Sequence, residues 1–119
     1  RGGRWETKKI CVVSELINGQ VATDNDCGPI EQAAAADVAF SSPSFVILET
    51  IQTELHDKLL TRSLTWDRGY MRAPTEPGLG IELNEETILN HPYSSGGRLH
   101  LEMCNTPLGS NNQKTITEL

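Results

Sequence analysis

No apolar run in this sequence approaches the roughly 20 residues that a helix needs to cross a bilayer. The N-terminus, Arg1-Gly2-Gly3-Arg4-Trp5, lacks both an initiator Met and the apolar stretch of a secretory leader. A truncated reading is the expectation that fits the rest of the chain best. Basic residues are few: 10 Lys and Arg stand against 16 Asp and Glu, for a net charge of −6. Neither nucleic acid nor an anionic membrane surface is an expected partner, because both are held by excess positive charge. Cysteine is sparse as well. Cys11, Cys27 and Cys104 show no CxxC or Cys/His ligand spacing, which argues against a structural zinc. An odd count without a leader predicts free thiols in a reducing cytoplasm, used as small buried apolar side chains.

What is present is an alternation of helix and strand. Ile10, Val13, Leu16 and Ile17 recur at helical spacing and predict an amphipathic helix over 6–18. Asn18-Gly19 would stop it, with glycine in the left-handed position. Residues 20–23 read as a short strand, followed by the polar loop Asp24 to Gly28. Pro29 suits the first position of a helix, here over 30–40, where its missing N–H costs nothing. Ala33 to Ala36 would let that helix approach a sheet closely. Ser41-Ser42-Pro43 ends it, and Phe45-Val46-Ile47-Leu48 is a continuous apolar run ending in Glu49. Such a run suits a strand covered on both faces, as in parallel sheets. The two strands start about 25 residues apart, which fits a βαβ unit.

The second half differs. Residues 54–60 predict a short helix with Leu55, Leu59 and Leu60 inward. Asp67-Arg68-Gly69 is a hairpin turn within Leu64 to Met71. Pro74 to Gly80 is stiff extended backbone with two glycine bends. Asn84 caps a helix over 85–90, residues 99–103 form a short strand, and a polar tail follows from 106. Trp5 and Trp66 are expected to be packing groups. His56, His91 and His100 read as surface or packing residues. One βαβ unit cannot bury both faces of its own sheet. Further strands are therefore expected upstream, in a (β/α)₈ barrel or an open doubly wound sheet.

The motifs carry a resemblance. Gly2-Gly3 before a helix, Gln20 to Ile30 (QVATDNDCGPI), Pro43 to Glu49 (PSFVILE) and Pro77 to Glu86 (PGLGIELNEE) occur in one order over about residues 1–93. In that order they resemble the mandelate racemase/muconate lactonizing enzyme branch of the enolase superfamily. The implied fold is α/β: the C-terminal part of a TIM-type (β/α) barrel plus the segment that packs beside a capping domain. The implied division is 1–66 for the last β/α units, 67–105 for the capping-side segment and 106–119 for the tail. The resemblance further implies proton abstraction α to a carboxylate, with Mg²⁺ in the intact parent stabilising the enediolate. The three carboxylate ligands would lie on earlier strands, so this chain alone is not expected to bind Mg²⁺ tightly. The parent would most readily be an acid-sugar dehydratase. A racemase, a cycloisomerase and a non-catalytic remnant of the fold are the alternatives. The implied partner is a small-molecule carboxylate, a sugar acid; a homo-oligomeric parent stays open.

Two residues are the candidate catalytic groups. Glu49 matches the acid that hydrogen-bonds the substrate carboxylate or the enediolate, a role that requires its protonated form. Otherwise it is a solvated strand-end acid. Asp24 stands where the branch has His, with Thr23 in place of the preceding Pro. It is either a proton acceptor, a weaker one than imidazole, or an ordinary loop residue. Both should leave the same end of the sheet and line a common concavity. Gly28-Pro29-Ile30 reads as a plain helix start rather than an anion site.

Overall fold

A computed structural model describes residues 2–25 and 27–92 of the chain. Helix α1 spans Gly3–Leu16 and strand β1 spans Val21–Thr23. Helix α2 spans Pro29–Phe40, with Pro29 in its first turn, and strand β2 spans Phe45–Leu48. The predicted order of helix, strand, helix and strand holds. β1 and β2 lie parallel in one sheet, with Thr23 beside Leu48. Val21 pairs with Phe45 and Ala22 with Ile47, so Val46 is an extra residue on β2 that breaks the register. Backbone bonds close the pair at its two ends: Val21 N–H to Ser44 C=O at 2.8 Å and Glu49 N–H to Thr23 C=O at 2.8 Å.

The first helix departs from expectation in three ways. It begins at Gly3 rather than residue 6, with the Thr7 hydroxyl donating to Gly3 C=O at 3.0 Å. Its left-handed residue after the C-terminus is Asn18 (φ 54), not Gly19. Gly19 instead lies close to the end of α1: a Cβ there would stand 2.6 Å from Ser14 Oγ, which can rotate, and 3.2 Å from Ser14 C=O, which cannot. Third, the predicted apolar face is not buried. Ile10, Val13, Leu16 and Ile17 are exposed, and Cys11 is the helix's buried residue. The contacts of α1 run through other positions. Arg4 pairs with Asp37 of α2 at 2.5 Å, Lys8 donates to Ser41 C=O and Ser42 Oγ, and Ser44 Oγ donates to Cys11 C=O. The 3.6-residue period was read correctly, but the partner of that face is not among the described residues.

α2 carries the core. Ala33 and Ala36 are buried with Leu64, and Leu48, Met71, Leu79 and Ile81 pack against them. Small side chains thus let both β2 and the later segment approach one helix. Ser41 and Ser42 end α2 by donating their hydroxyls to Val38 C=O, at 2.9 and 2.6 Å. β2 is only partly covered: Val46 is 54% and Ile47 62% exposed. The expectation of cover on both faces is not met within the described residues.

The rest is built from short pieces. Helix α3 (Glu54–Lys58) is capped by Thr53, whose hydroxyl accepts the His56 N–H at 3.3 Å. Leu55 is exposed rather than inward, and Leu60 opens strand β3 (Leu60–Arg62) instead of ending the helix. Strands β4 (Trp66–Asp67) and β5 (Tyr70–Met71) form the predicted hairpin. Its two turn residues, Arg68 (φ 49) and Gly69 (φ 86), both take positive φ, as a type I′ turn requires. Strand β6 (Glu82–Leu83) pairs antiparallel with β3, a pairing absent from the sequence expectation. Helix α4 (Glu85–Asn90) is capped as predicted by Asn84, whose Oδ1 accepts the Thr87 N–H at 3.1 Å. The predicted strand at 99–103 and the tail from 106 lie outside the described residues.

Candidate functional site at one edge of the parallel sheet

Parallel strands share a C-terminal edge, and here the register makes that edge definite. Because Thr23 lies beside Leu48, the next residues, Asp24 and Glu49, leave the sheet side by side. The bond from Glu49 N–H to Thr23 C=O ties the two strand ends together at the point where they diverge. Both residues are exposed. A groove of about 370 Å³ opens beside Asp24, over β1 and between α1 and α2. Thr23, Asp24, Arg4, Thr7 and Glu31 supply its polar lining. Glu49 does not line it, which corrects the expected common concavity. The groove lies against β1 and the helix pair, whereas Glu49 follows the end of β2, one strand away.

Two buried oxygens flank Asp24. Thr23 Oγ1 and Asn25 Oδ1 have no hydrogen-bond partner among the described residues, and Asn25 is only 2% exposed. A buried polar atom left unpaired costs about 1–3 kcal/mol. Water or a group outside the described residues would satisfy them.

The end of β2 is held from behind. Gln32, on α2, is buried, and its Nε2 donates to the Thr50 hydroxyl. Thr50 directly follows Glu49. The sequence reading missed this pair. The available signal was a polar residue within the stripe 32, 33, 36 and 39, whose other members are alanines.

Gly28 has an extended φ of 175, and its C=O accepts the Gln32 N–H at 2.9 Å, as in a plain helix start. Arg4 is engaged with Asp37, and Arg1 lies outside the described residues. His56 Nδ1 lies 3.2 Å from Ile51 C=O and His91 Nδ1 2.8 Å from Thr87 C=O; His100 is outside the described residues. Trp5 is 72% exposed rather than packed, with Lys9 Nζ 5.6 Å from its ring centre. Trp66 is half-buried. Cys11 is buried as expected, whereas Cys27 is exposed.

Among the described residues, no three of His, Cys, Asp and Glu come together as a set that could hold a metal ion. The described residues therefore do not fit a Mg²⁺ centre. No helix among the described residues is long and apolar enough to cross a membrane.

The chain is similar to known proteins in both sequence and fold. The model of the enolase C-terminal domain-like family matches residues 1–87. The D-galactonate dehydratase family member RspA of Pantoea ananatis is 34% identical over 114 residues, covering 92% of this chain and 27% of that protein. The crystal structure of a mandelate racemase/muconate lactonizing enzyme from Jannaschia sp. CCS1 superposes with a TM-score of 0.78 at 39% identity. That match covers 85% of this chain and 26% of the other. An enolase from Pantoea ananatis, solved with bound D-gluconate and Mg, gives a TM-score of 0.70 at 31% identity, over 81% of this chain and 24% of the other. The chain belongs to the enolase C-terminal domain-like family, in its mandelate racemase/muconate lactonizing enzyme branch. It spans about a quarter of the length of the relatives it matches.

Proposed function

We propose that this chain is the C-terminal part of a Mg²⁺-dependent acid-sugar dehydratase with a TIM-type barrel. It contributes the last two barrel strands, β1 and β2, and the segment from residue 67 that packs beside a capping domain. The metal and its three carboxylate ligands belong to earlier strands of the parent. The observation that carries this reading is the shared edge: Asp24 and Glu49 follow paired residues of parallel strands, at the end where barrel enzymes place their chemistry.

The reaction removes the proton on the carbon next to the substrate carboxylate. A base takes that proton, the hydroxyl on the following carbon accepts a proton from a general acid and leaves as water, and the enol product tautomerises to a 2-keto-3-deoxy acid. Glu49 is placed to hydrogen-bond the substrate carboxylate, where negative charge accumulates as the proton leaves; that role needs its acid form, and so burial by the rest of the barrel, since Glu49 is exposed here. Asp24 follows the neighbouring strand at the same sheet edge, as a second polar group. The orphan oxygens of Thr23 and Asn25 receive donors from the preceding part of the barrel.

A second reading has its own observation. Thr23-Asp24 replaces the branch's Pro-His, and the described residues hold no metal-ligand set. A non-catalytic remnant used for binding accounts for both. The full-length polypeptide decides between them. With Mg²⁺ present it is assayed on D-galactonate and D-gluconate for 2-keto-3-deoxy acid. Turnover that falls at least about 100-fold in Glu49→Gln, as for loss of one oxyanion donor, supports the dehydratase. No turnover of any sugar acid, with substrate-independent folding intact, supports the remnant.

A further inference from the structure

A polar contact between α2 and the end of β2 takes no part in the mechanism above. Gln32 is 6% exposed and sits on the face of α2 that also buries Ala33, Ala36 and Ala39. An apolar side chain of similar size would fill that place without removing an amide from water. The amide is nevertheless there, and its Nε2 donates to the Thr50 hydroxyl across 18 positions of sequence. Buried amides are costly unless bonded, so this contact sets the separation between the first turn of α2 and the end of β2.

We propose that Gln32 is a positioning residue for Glu49. The proposal rests on the catalytic reading of Glu49 given above. Glu49 is the first residue beyond β2, where backbone pairing with β1 ends. Two contacts bracket it. Its own N–H is bonded to Thr23 C=O at 2.8 Å, and the following residue is held through its hydroxyl by Gln32. With the chain fixed on both sides, the direction in which the Glu49 side chain leaves the edge is set. Removing the Gln32 donor frees Thr50, and the backbone beyond Leu48 can then swing about the single remaining bond. Thr50 is half-buried, so water can take over its oxygen. The loss is one of placement rather than of folding.

Two variants of the full-length polypeptide test this. Gln32→Met keeps volume and apolar packing but has no donor. Thr50→Val removes the acceptor isosterically. Hydrogen exchange needs no substrate: in either variant the Glu49 and Thr50 amides should exchange about tenfold faster, as for loss of one ordinary hydrogen bond, with β1 unchanged. In turnover, each variant should lower kcat about 10- to 100-fold with little change in KM or melting temperature, because small misplacements of a reacting group act on the chemical step. The double variant should be no worse than either single one, since both remove the same contact.

Unchanged exchange at Glu49 overturns the proposal whatever the enzyme does. So does full turnover in Gln32→Met when Glu49→Gln abolishes it. A fall in melting temperature with kcat preserved makes Gln32 a packing residue only and also overturns it. Faster exchange together with full turnover in Glu49→Gln overturns the catalytic reading of Glu49 instead, which separates the two failures.

Discussion

Two glycines in the Pro77-Gly78-Leu79-Gly80 turn offer a controlled comparison. Gly78 (φ +73) and Gly80 (φ +71) share the left-handed conformation, so alanine at either pays the same backbone cost, about 1–2 kcal/mol. They differ in space. A Cβ on Gly78 would meet nothing within 4 Å. One on Gly80 would overlap Pro74 Cβ and stand 2.9 Å from its Cγ. A proline ring cannot rotate away, so either Pro74 or the turn must move. The turn is anchored, because Leu79 and Ile81 on either side of Gly80 pack against Ala33, Ala36 and Leu64. Overpacking of this kind costs about 1–3 kcal/mol. Gly80→Ala should therefore destabilise by about 2–5 kcal/mol and Gly78→Ala by about 1–2 kcal/mol. Urea unfolding of the full-length polypeptide, with the two variants side by side, measures the difference. Equal losses would refute the reasoning, since only the backbone term would then operate.

Ile47, exposed here on β2, should be covered in the parent. Ile47→Ser should change the stability of the 119-residue chain by no more than about 0.5 kcal/mol. The same change in the full-length polypeptide should cost about 2–5 kcal/mol by denaturant titration; similar small losses in both would mean that no upstream strand covers this face. Calorimetry should detect no stoichiometric, micromolar Mg²⁺ binding by the 119-residue chain, because Mg²⁺ needs near-octahedral oxygen ligands. Tight one-to-one binding would place the metal within this segment.

Local rules were legible along most of the chain. Pro29 opened α2, Asn84 capped α4, and Arg68-Gly69 made a two-residue turn, since each depends on backbone conformations that single residues favour. The parallel pairing of β1 with β2 followed from the βαβ spacing, and with it the common edge of Asp24 and Glu49. Periodicity also marked a helix at Ile10 to Ile17, yet it misjudged what that face would touch. A hydrophobic stripe states that a neighbour is wanted without supplying one.

What the residues determined by themselves was the kind and order of elements, the strand-end placement of the two acids and the family. Only the tertiary structure decided the long-range pairings: β3 with β6, Leu79 and Ile81 on the alanine face of α2, and Gln32 on Thr50. Each joins residues about 15 to 50 positions apart through a short strand or a single side chain. Local propensity carries no information about such contacts. They are selected by how the packed elements share the small volume beside α2.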